Sequence, residues 1–357
     1  MFEGKTKILH LPSSVGGNAW ALSQGEKKIG YESEVLVTDK SWLDYPSDRV
    51  VQLGSSKIKN TYKLFKEFLE IRSNYDVFHF NFGSSLLNLK KIGLNLFDLP
   101  FYPKEKKLFM TFNGCDARQK YPTMIREKIA ACHDEKCYAG MCNSGRLDRQ
   151  RRSRIAKATK HIDHIFAVNP DLLYFLPSET SSFMPYAVID NSNQEGVVQK
   201  NKKFMIVHAP TQRAAKGSDL IISAVQSLQE KDSSIDLTLI ENVPNEQALA
   251  YYNQADLIID QVKIGWYGAF AVECMYMRKP VAVFINKRDL THVPNEMADE
   301  IPDAFIHINP LNIEEKLKQY IYDPIKLKEV AHSGESYAHK WHNPVNVAKR
   351  IKVFIDR

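Results

Sequence analysis

In HAPTQRAAKG, residues 208–217, two cations stand three residues apart, Arg213 and Lys216, with Gly217 after them. The apolar run FMIVH (204–208) precedes them, and SDLIISAVQSLQE comes next with helical spacing. A strand is therefore expected to end at His208 and a helix to begin near Ser218. Backbone N–H groups at a helix start attract anions. Arginine adds a planar fork that matches phosphate oxygens, and lysine adds a point charge. Gly217 lets a ligand approach the backbone. This pattern points to binding of a phosphate group. A solvated loop with incidental cations is the plain alternative.

A second stretch, DLIIDQVKIGWYGAFAVECMYMRKPVAVF (256–284), carries more. Asp260 and Gln261 lie where a strand should end. Gly265 and Gly268 bracket Trp266 and Tyr267 in a loop, and a helix comes after it with Glu273 in its second turn. A loop with two glycines ahead of a helix can bring N–H groups against a phosphate. A carboxylate near the helix start can accept hydrogen bonds from a ribose diol. The alternative for Glu273 is an exposed helix residue. Its apolar neighbours Val272, Cys274 and Met275 argue for burial, where a charge needs a partner.

Two further features have bland and functional readings. Cys132, Cys137 and Cys142 are spaced C-x4-C-x4-C, with His133 and Cys115 nearby in sequence. Zinc sites commonly use shorter C-x2-C spacing, so free thiols stand beside a metal site as readings. The basic run RLDRQRRSRIAKATKH (146–161) reads as a solvated helix, or as a face that docks on anionic lipid.

The elements that must position these residues alternate. KILHL (7–11), ESEVLVT (32–38), DVFHFNF (76–82), KLFMTFNG (107–114) and HIFAVN (164–169) read as strands, and TYKLFKEFLEIRS (61–73) as a helix between two of them. The polar stretch 191–203 reads as a linker. Strands at 204–208, 237–241, 257–260 and 280–284 then alternate with helices at 218–229, 245–254 and 269–278. The pattern implies an α/β chain of two doubly wound Rossmann-like domains facing a cleft. Residues 1–190 are expected to form one domain and 204–340 the other. Ligands of such sheets bind beyond the carboxyl ends of the strands.

Bulk properties agree with this division. A chain of 357 residues fits two domains of ordinary size, and 44% apolar with 25% charged residues fits globular cores. The net charge of +6 is uneven. Residues 1–190 hold 28 Lys/Arg against 21 Asp/Glu, leaving 20 against 21 in the remainder. A basic half suits an acidic substrate or an anionic membrane surface, and a normally solvated surface is the bland reading. Nothing has the basic-aromatic pattern of a nucleic-acid binder. No apolar run reaches the roughly 18–20 residues of a membrane span, and the N-terminus lacks a signal-peptide core. The expected location is cytoplasmic, with peripheral contact at the inner face of the cell membrane as an option.

The second half resembles retaining glycosyltransferases of the GT-B fold, of the family 4-like group 1 type. Arg213 and Lys216-Gly217 match that family's cations after the opening strand. Glu273 matches the second of its paired glutamates, and Cys274-Met275 and Lys279-Pro280-Val281 match the residues after it. The first glutamate of the pair falls at Gly265, a departure. In the first half, LPSSVGGNAWALSQ resembles the opening strand, double-glycine loop and helix. DVFHFNFG resembles the Asp-x-x-His strand, and TFNGCDARQ a Thr-x-His-Gly-x-Asp-x-Arg pattern with Asn113 at the histidine.

The resemblance implies a nucleotide-diphosphate sugar as donor substrate, no required cofactor and an unidentified acceptor: polysaccharide, glycolipid or protein. It places Arg213, Lys216 and Glu273 at the catalytic centre. Gly16, Gly17, Asn18, His208, Gly217, Asp260, Gln261, Gly265, Trp266, Tyr267 and Gly268 would bind the nucleotide sugar. Asn113, Asp116 and Arg118 would line the acceptor side. The C-terminal helix, within 341–357, would cross back to the first domain. A sugar-nucleotide epimerase of the same fold and a non-catalytic nucleotide-sugar-binding protein are the rival expectations.

Overall fold

A computed structural model of the chain describes residues 5–38, 45–88, 95–193 and 203–357; residues 194–202 of the expected linker lie outside the described residues. In the first half the chain runs β1 (Lys7–Leu11), α1 (Asn18–Lys28), β2 (Glu32–Val37), β3 (Arg49–Val50), α2 (Lys57–Ile71), β4 (Val77–Asn81), β5 (Lys107–Phe112), α3 (Lys120–Arg126), α4 (Arg146–Ala158), β6 (His164–Ala167) and β7 (Ser181–Phe183). Helix α2 starts four residues earlier than its apolar spacing suggests. Ser56 caps it, accepting the Lys59 N–H.

The second half runs β8 (Phe204–His208), α5 (Arg213–Lys216), α6 (Ser218–Lys231), β9 (Ile235–Leu239), α7 (Asn245–Gln254), β10 (Leu257–Ile259), α8 (Ala269–Tyr276), β11 (Val281–Val283), α9 (Asn295–Ala304), β12 (Ile306–His307), α10 (Ile313–Ile321), α11 (Pro324–Trp341) and α12 (Pro344–Asp356). One difference from the sequence reading matters for the site. Arg213 and Lys216 sit in a single helical turn, not in an open loop. Gln212 caps that turn, and Gly217 ends it at φ 78°, in the left-handed region.

The chain divides into two compact units. Met1–Gln119, Asp148–Val188 and Asn343–Arg357 form the first, and Lys120–Leu147 with Ile189–His342 form the second. The segment 120–147, expected with the first half, groups with the second. No described helix is long and apolar enough to cross a membrane.

The first unit holds a seven-stranded sheet in the order β3-β2-β1-β4-β5-β6-β7, with every pairing parallel. Side chains alternate between its faces. Leu9, Leu11, Phe78, Phe80, Met110, Phe112, Ile165 and Ala167 share one face and form its main apolar core. Full burial of side chains of this size contributes about 1.5–3 kcal/mol each. The opposite face carries His10 and His79, which are register partners on β1 and β4. Helix α12 packs there against α1. At Gly25 a Cβ would fall 2.1 Å from the Pro344 carbonyl oxygen, so only glycine permits this approach.

The second unit holds a five-stranded parallel sheet in the order β12-β11-β10-β8-β9. Strand order reverses at β8, which pairs with β9 on one side and β10 on the other. The loops leaving β8 and β10 are therefore the pair that a doubly wound sheet offers to a ligand.

Candidate functional site

At that reversal the second unit gathers most of the residues singled out in sequence. His208 ends β8 fully buried. Its Nδ1 lies 2.8 Å from the Ile259 carbonyl, which can only accept, so Nδ1 carries the proton. Its Nε2 then accepts from Ser218 Oγ at 2.8 Å. Burial, with Lys216 nearby, lowers the imidazole to about 4, against the pull of the Ile259 carbonyl and of Asp260 and Glu241. His208 is thus a fixed strut between β10 and the start of α6, with no ring nitrogen left for a ligand.

Asp260, at the end of β10, is buried and accepts from Lys216 Nζ at 2.6 Å and from the Gly268 N–H at 2.8 Å. One carboxylate thus ties the cationic turn to the loop that opens α8. A Cβ at Gly268 would stand 3.5 Å from Lys216 Nζ, so the ammonium lies over the helix start. The N–H groups of Ala269 and Phe270 open α8 ahead of its first closing bond, which runs from the Ala271 N–H to the Gly268 carbonyl at 3.1 Å. Arg213 differs. Its guanidinium is half exposed and forks onto Glu241, two residues beyond β9, 2.8 Å from Nε to Oε1. Glu273 is buried in the second turn of α8. Gly217 is required by contact as well as by φ, since a Cβ there would lie 2.6 Å from Val262 Cγ2.

The loop 261–268 is braced from within. Gln261 donates from Nε2 to the Trp266 carbonyl, and Val262 N–H bonds to the Lys216 carbonyl at 2.9 Å. Trp266 and Tyr267 are core residues, 1% and 0% exposed and stacked 4.6 Å apart. The Tyr267 hydroxyl meets Tyr337 at 2.8 Å and His342 at 2.9 Å. They hold the loop's shape, so the loop can offer a ligand its backbone but not these rings.

Gly265 explains the departure from the paired-glutamate pattern. A Cβ there would fall 2.5 Å from Asn286 Cβ, and the Asn286 N–H bonds the Gly265 carbonyl at 2.9 Å. Asn286 is held in turn by Glu127, at 2.8 Å, from the segment 120–147. The same segment docks its Ala131 N–H on the Lys263 carbonyl at 2.8 Å and Asp134 on Lys263 Nζ at 2.8 Å. The position of the missing carboxylate is filled by a neighbouring strand end and clamped by a stretch far earlier in the chain. Glu241, Asn286 and Glu127 escaped the sequence reading. Only Glu241, an acid closing the strand run 237–241, had a local signal.

In the first unit, Gly16 and Gly17 take φ of 63° and 68° at the end of the loop after β1, and Asn18 begins α1. Asn18 is buried; its Oδ1 accepts from the Ala187 N–H at 2.8 Å and its Nδ2 has no partner. After β5, Asp116 accepts the Asn113 and Gly114 N–H groups and closes a tight loop. Burial raises its carboxyl, and those N–H bonds and Arg154 oppose the rise. The carbonyl of Asn113 accepts from Asn169 Nδ2, while its own Oδ1 is buried without a partner. Arg118 is committed to a buried fork on Asp171, at 2.6 and 2.8 Å. Asp116 and Arg118 therefore shape the loop after β5, while Asn113 Oδ1 in that loop and Asn18 Nδ2 at the start of α1 are buried polar atoms without a partner.

Cys115, Cys132, Cys137 and Cys142 are half-buried and not in disulfides; Cys274 is buried, and burial pushes its thiol up. In the basic helix α4, Arg151 turns inward to Asp148 at 3.2 Å and Arg154 to the Gly83 carbonyl at 3.4 Å. The run is therefore not displayed as one patch.

Two parallel α/β sheets of seven and five strands, each with its ligand-facing loops at the strand ends, are the architecture of the GT-B class, and solved structures agree. No family model matches the chain, and no curated protein matches it by sequence. Sucrose-phosphate synthase from Thermosynechococcus elongatus matches over 99% of this chain and 98% of its own, at TM-score 0.61 and 11% identity. HepE from Anabaena, solved with UDP-glucose, matches over 99% and 100%, at TM-score 0.63 and 12% identity. A UDP-N-acetylglucosamine 2-epimerase matches over 99% and 98%, at TM-score 0.56 and 12% identity. At these identities the likeness is one of fold.

Proposed function

We propose that the chain transfers a glycosyl group from a nucleoside-diphosphate sugar to an acceptor hydroxyl on a polysaccharide, glycolipid or protein, with retention at the anomeric carbon. The observation that carries this reading is the cluster at the strand reversal of the second unit. Lys216, fixed by Asp260, stands over the start of α8, with Arg213 beside it on the same helical turn. That is a ready cradle for a diphosphate. The fold likeness to a protein solved with UDP-glucose supports the same ligand class.

In this reading the donor's diphosphate displaces Glu241 from Arg213. The exchange is cheap, because an exposed ion pair is worth about 0–1 kcal/mol. As the glycosyl bond breaks, negative charge grows on the leaving diphosphate. Arg213, Lys216 and the α8 N–H groups meet it already oriented. One such preorganised donor contributes about 3–4 kcal/mol in the transition state. Glu273 holds the ribose. These side chains and N–H groups supply the charge balance themselves.

Arg213→Ala is the test, because its exposed side chain can be lost without harm to the fold. UDP and UDP-glucose binding, measured by calorimetry, should weaken about 10–100-fold, the worth of a charge-assisted bond of roughly 1.5–3 kcal/mol. Unchanged affinity would remove the site. The second reading, an epimerase, is favoured by the fold match to UDP-N-acetylglucosamine 2-epimerase. A mass balance separates them. A transferase releases nucleoside diphosphate in step with glycosylated product, and an epimerase leaves the sugar nucleotide intact.

A further inference from the structure

The second face of the first unit's sheet carries a group that the proposed transfer does not use. Parallel sheets are covered on both sides and favour apolar residues on each. Here the centre of one side is His10 on β1, His79 on β4 and Glu26 on α1, at 0%, 1% and 0% exposure. Each offers one ligand atom, and the three atoms lie within 4.8 Å of one another. His10 Nε2 meets Glu26 Oε2 at 2.8 Å, Ser33 Oγ donates to the same oxygen at 2.6 Å, and His79 Nε2 meets Thr111 Oγ1 at 2.6 Å.

The accounting does not close. His10 Nδ1, Glu26 Oε1 and His79 Nδ1 are buried without a partner. Each such atom costs about 1–3 kcal/mol if nothing fills it. Among the described residues, the only ion-pair partner of Glu26 is His10. The cluster leaves three buried ligand-type atoms unsatisfied, and among the described residues no Lys or Arg pairs with its carboxylate. A cation answers all three.

We propose that His10, Glu26 and His79 form a buried site for a divalent transition metal, best suited to zinc. Two imidazoles and one carboxylate, without thiolate, fit zinc among the available ions. Zinc bonds of about 2.0–2.2 Å set ligand atoms roughly 3.3 Å apart in a tetrahedron. The ligand atoms already lie within 4.8 Å of one another and draw together to reach this. The surroundings are those of a metal site. Thr111 holds the second nitrogen of His79 and Ser33 holds a carboxylate oxygen, fixing ring and carboxylate orientation. Because the ligands are shut from solvent, the ion's role is to tie β1, β4 and α1 together, and its binding energy becomes folding energy.

The full chain, expressed with zinc supplementation and purified without chelator, should hold about one zinc per chain by mass spectrometry. Refolding with Co2+ should give a visible ligand-field band without the thiolate charge-transfer band of a cysteine site. His79→Ala and Glu26→Gln should lose the metal. The triple variant Cys132→Ser, Cys137→Ser, Cys142→Ser should keep it. The wild-type readouts decide the matter even if the His79 variant does not fold. Zinc well below one per chain with no cobalt band would overturn the proposal, leaving only a hydrogen-bonded His–Glu contact. So would zinc that leaves with the cysteines.

Discussion

Each unit buries a histidine on its opening strand, and the two are treated differently. His208 in the second unit has both ring nitrogens satisfied, by a carbonyl and a hydroxyl, and its neighbour Asp260 has a lysine and an N–H. His10 in the first unit shares a carboxylate with Ser33, and it, Glu26 and His79 each keep an atom without a partner. A closed network is complete as a piece of scaffold. An open one, with a carboxylate oxygen and two ring nitrogens left over and sealed from water, is incomplete until something positive enters. Buried histidine alone therefore says little, and the balance of donors against acceptors around it says which role it has.

The closed network breaks hardest at its charge. Lys216→Ala leaves the Asp260 carboxylate buried with only the Gly268 N–H, and removing one partner of a buried pair costs about 3–5 kcal/mol. Arg213→Ala, in the same helical turn but on an exposed pair, should cost less than about 1 kcal/mol. Urea unfolding of the two variants measures the contrast. Equal losses would mean that Asp260 is not the anchor of this turn.

Protonation is the next largest perturbation. The unfolded imidazole of His208 titrates near its ordinary 6.5, and burial lowers the folded one to about 4. Between these values the unfolded chain binds more protons, so stability falls as pH falls. The contribution is whole above 6.5 and lost progressively down to about 4, on the order of 3 kcal/mol in all. His208→Asn removes the titration. The stability difference between wild type and variant should shrink across this window. A flat difference would show that water or movement relieves the buried ring.

Much of the frame was legible in sequence because its causes are local. Strand and helix spacing gave most strands of both sheets, though not the short β3, β7 and β12, and the cations, Asp260, Gly268 and Glu273 were singled out from their places at strand and helix ends. The rest depends on contacts that spacing does not carry. Trp266 and Tyr267 looked like ligand-facing loop residues, but an aromatic pair beside two glycines can equally fill a core, and Tyr337 and His342 decide that it does. Gly265 looked like a lost carboxylate until Asn286 and Glu127 were placed against it. In KILHL and DVFHF a histidine breaks each apolar run, but nothing in either run says that the two are register partners facing Glu26.

The smallest perturbation gives the sharpest comparison, because it removes one hydroxyl from each network. Ser218→Ala leaves His208 Nε2 without its donor, at about 1–3 kcal/mol, and zinc should not alter that loss. Ser33→Ala removes a donor from Glu26 Oε2. With zinc bound, the carboxylate keeps its main partner, and the loss should stay near ~1 kcal/mol, with metal affinity about 10–100-fold lower. After chelation Glu26 keeps only His10, and the same substitution should cost more. Urea midpoints of both variants, each with zinc and with chelator, read out the coupling. Zinc dependence in Ser33→Ala alone would mark the first network as the open one, and equal losses in all four conditions would mean that both networks are closed.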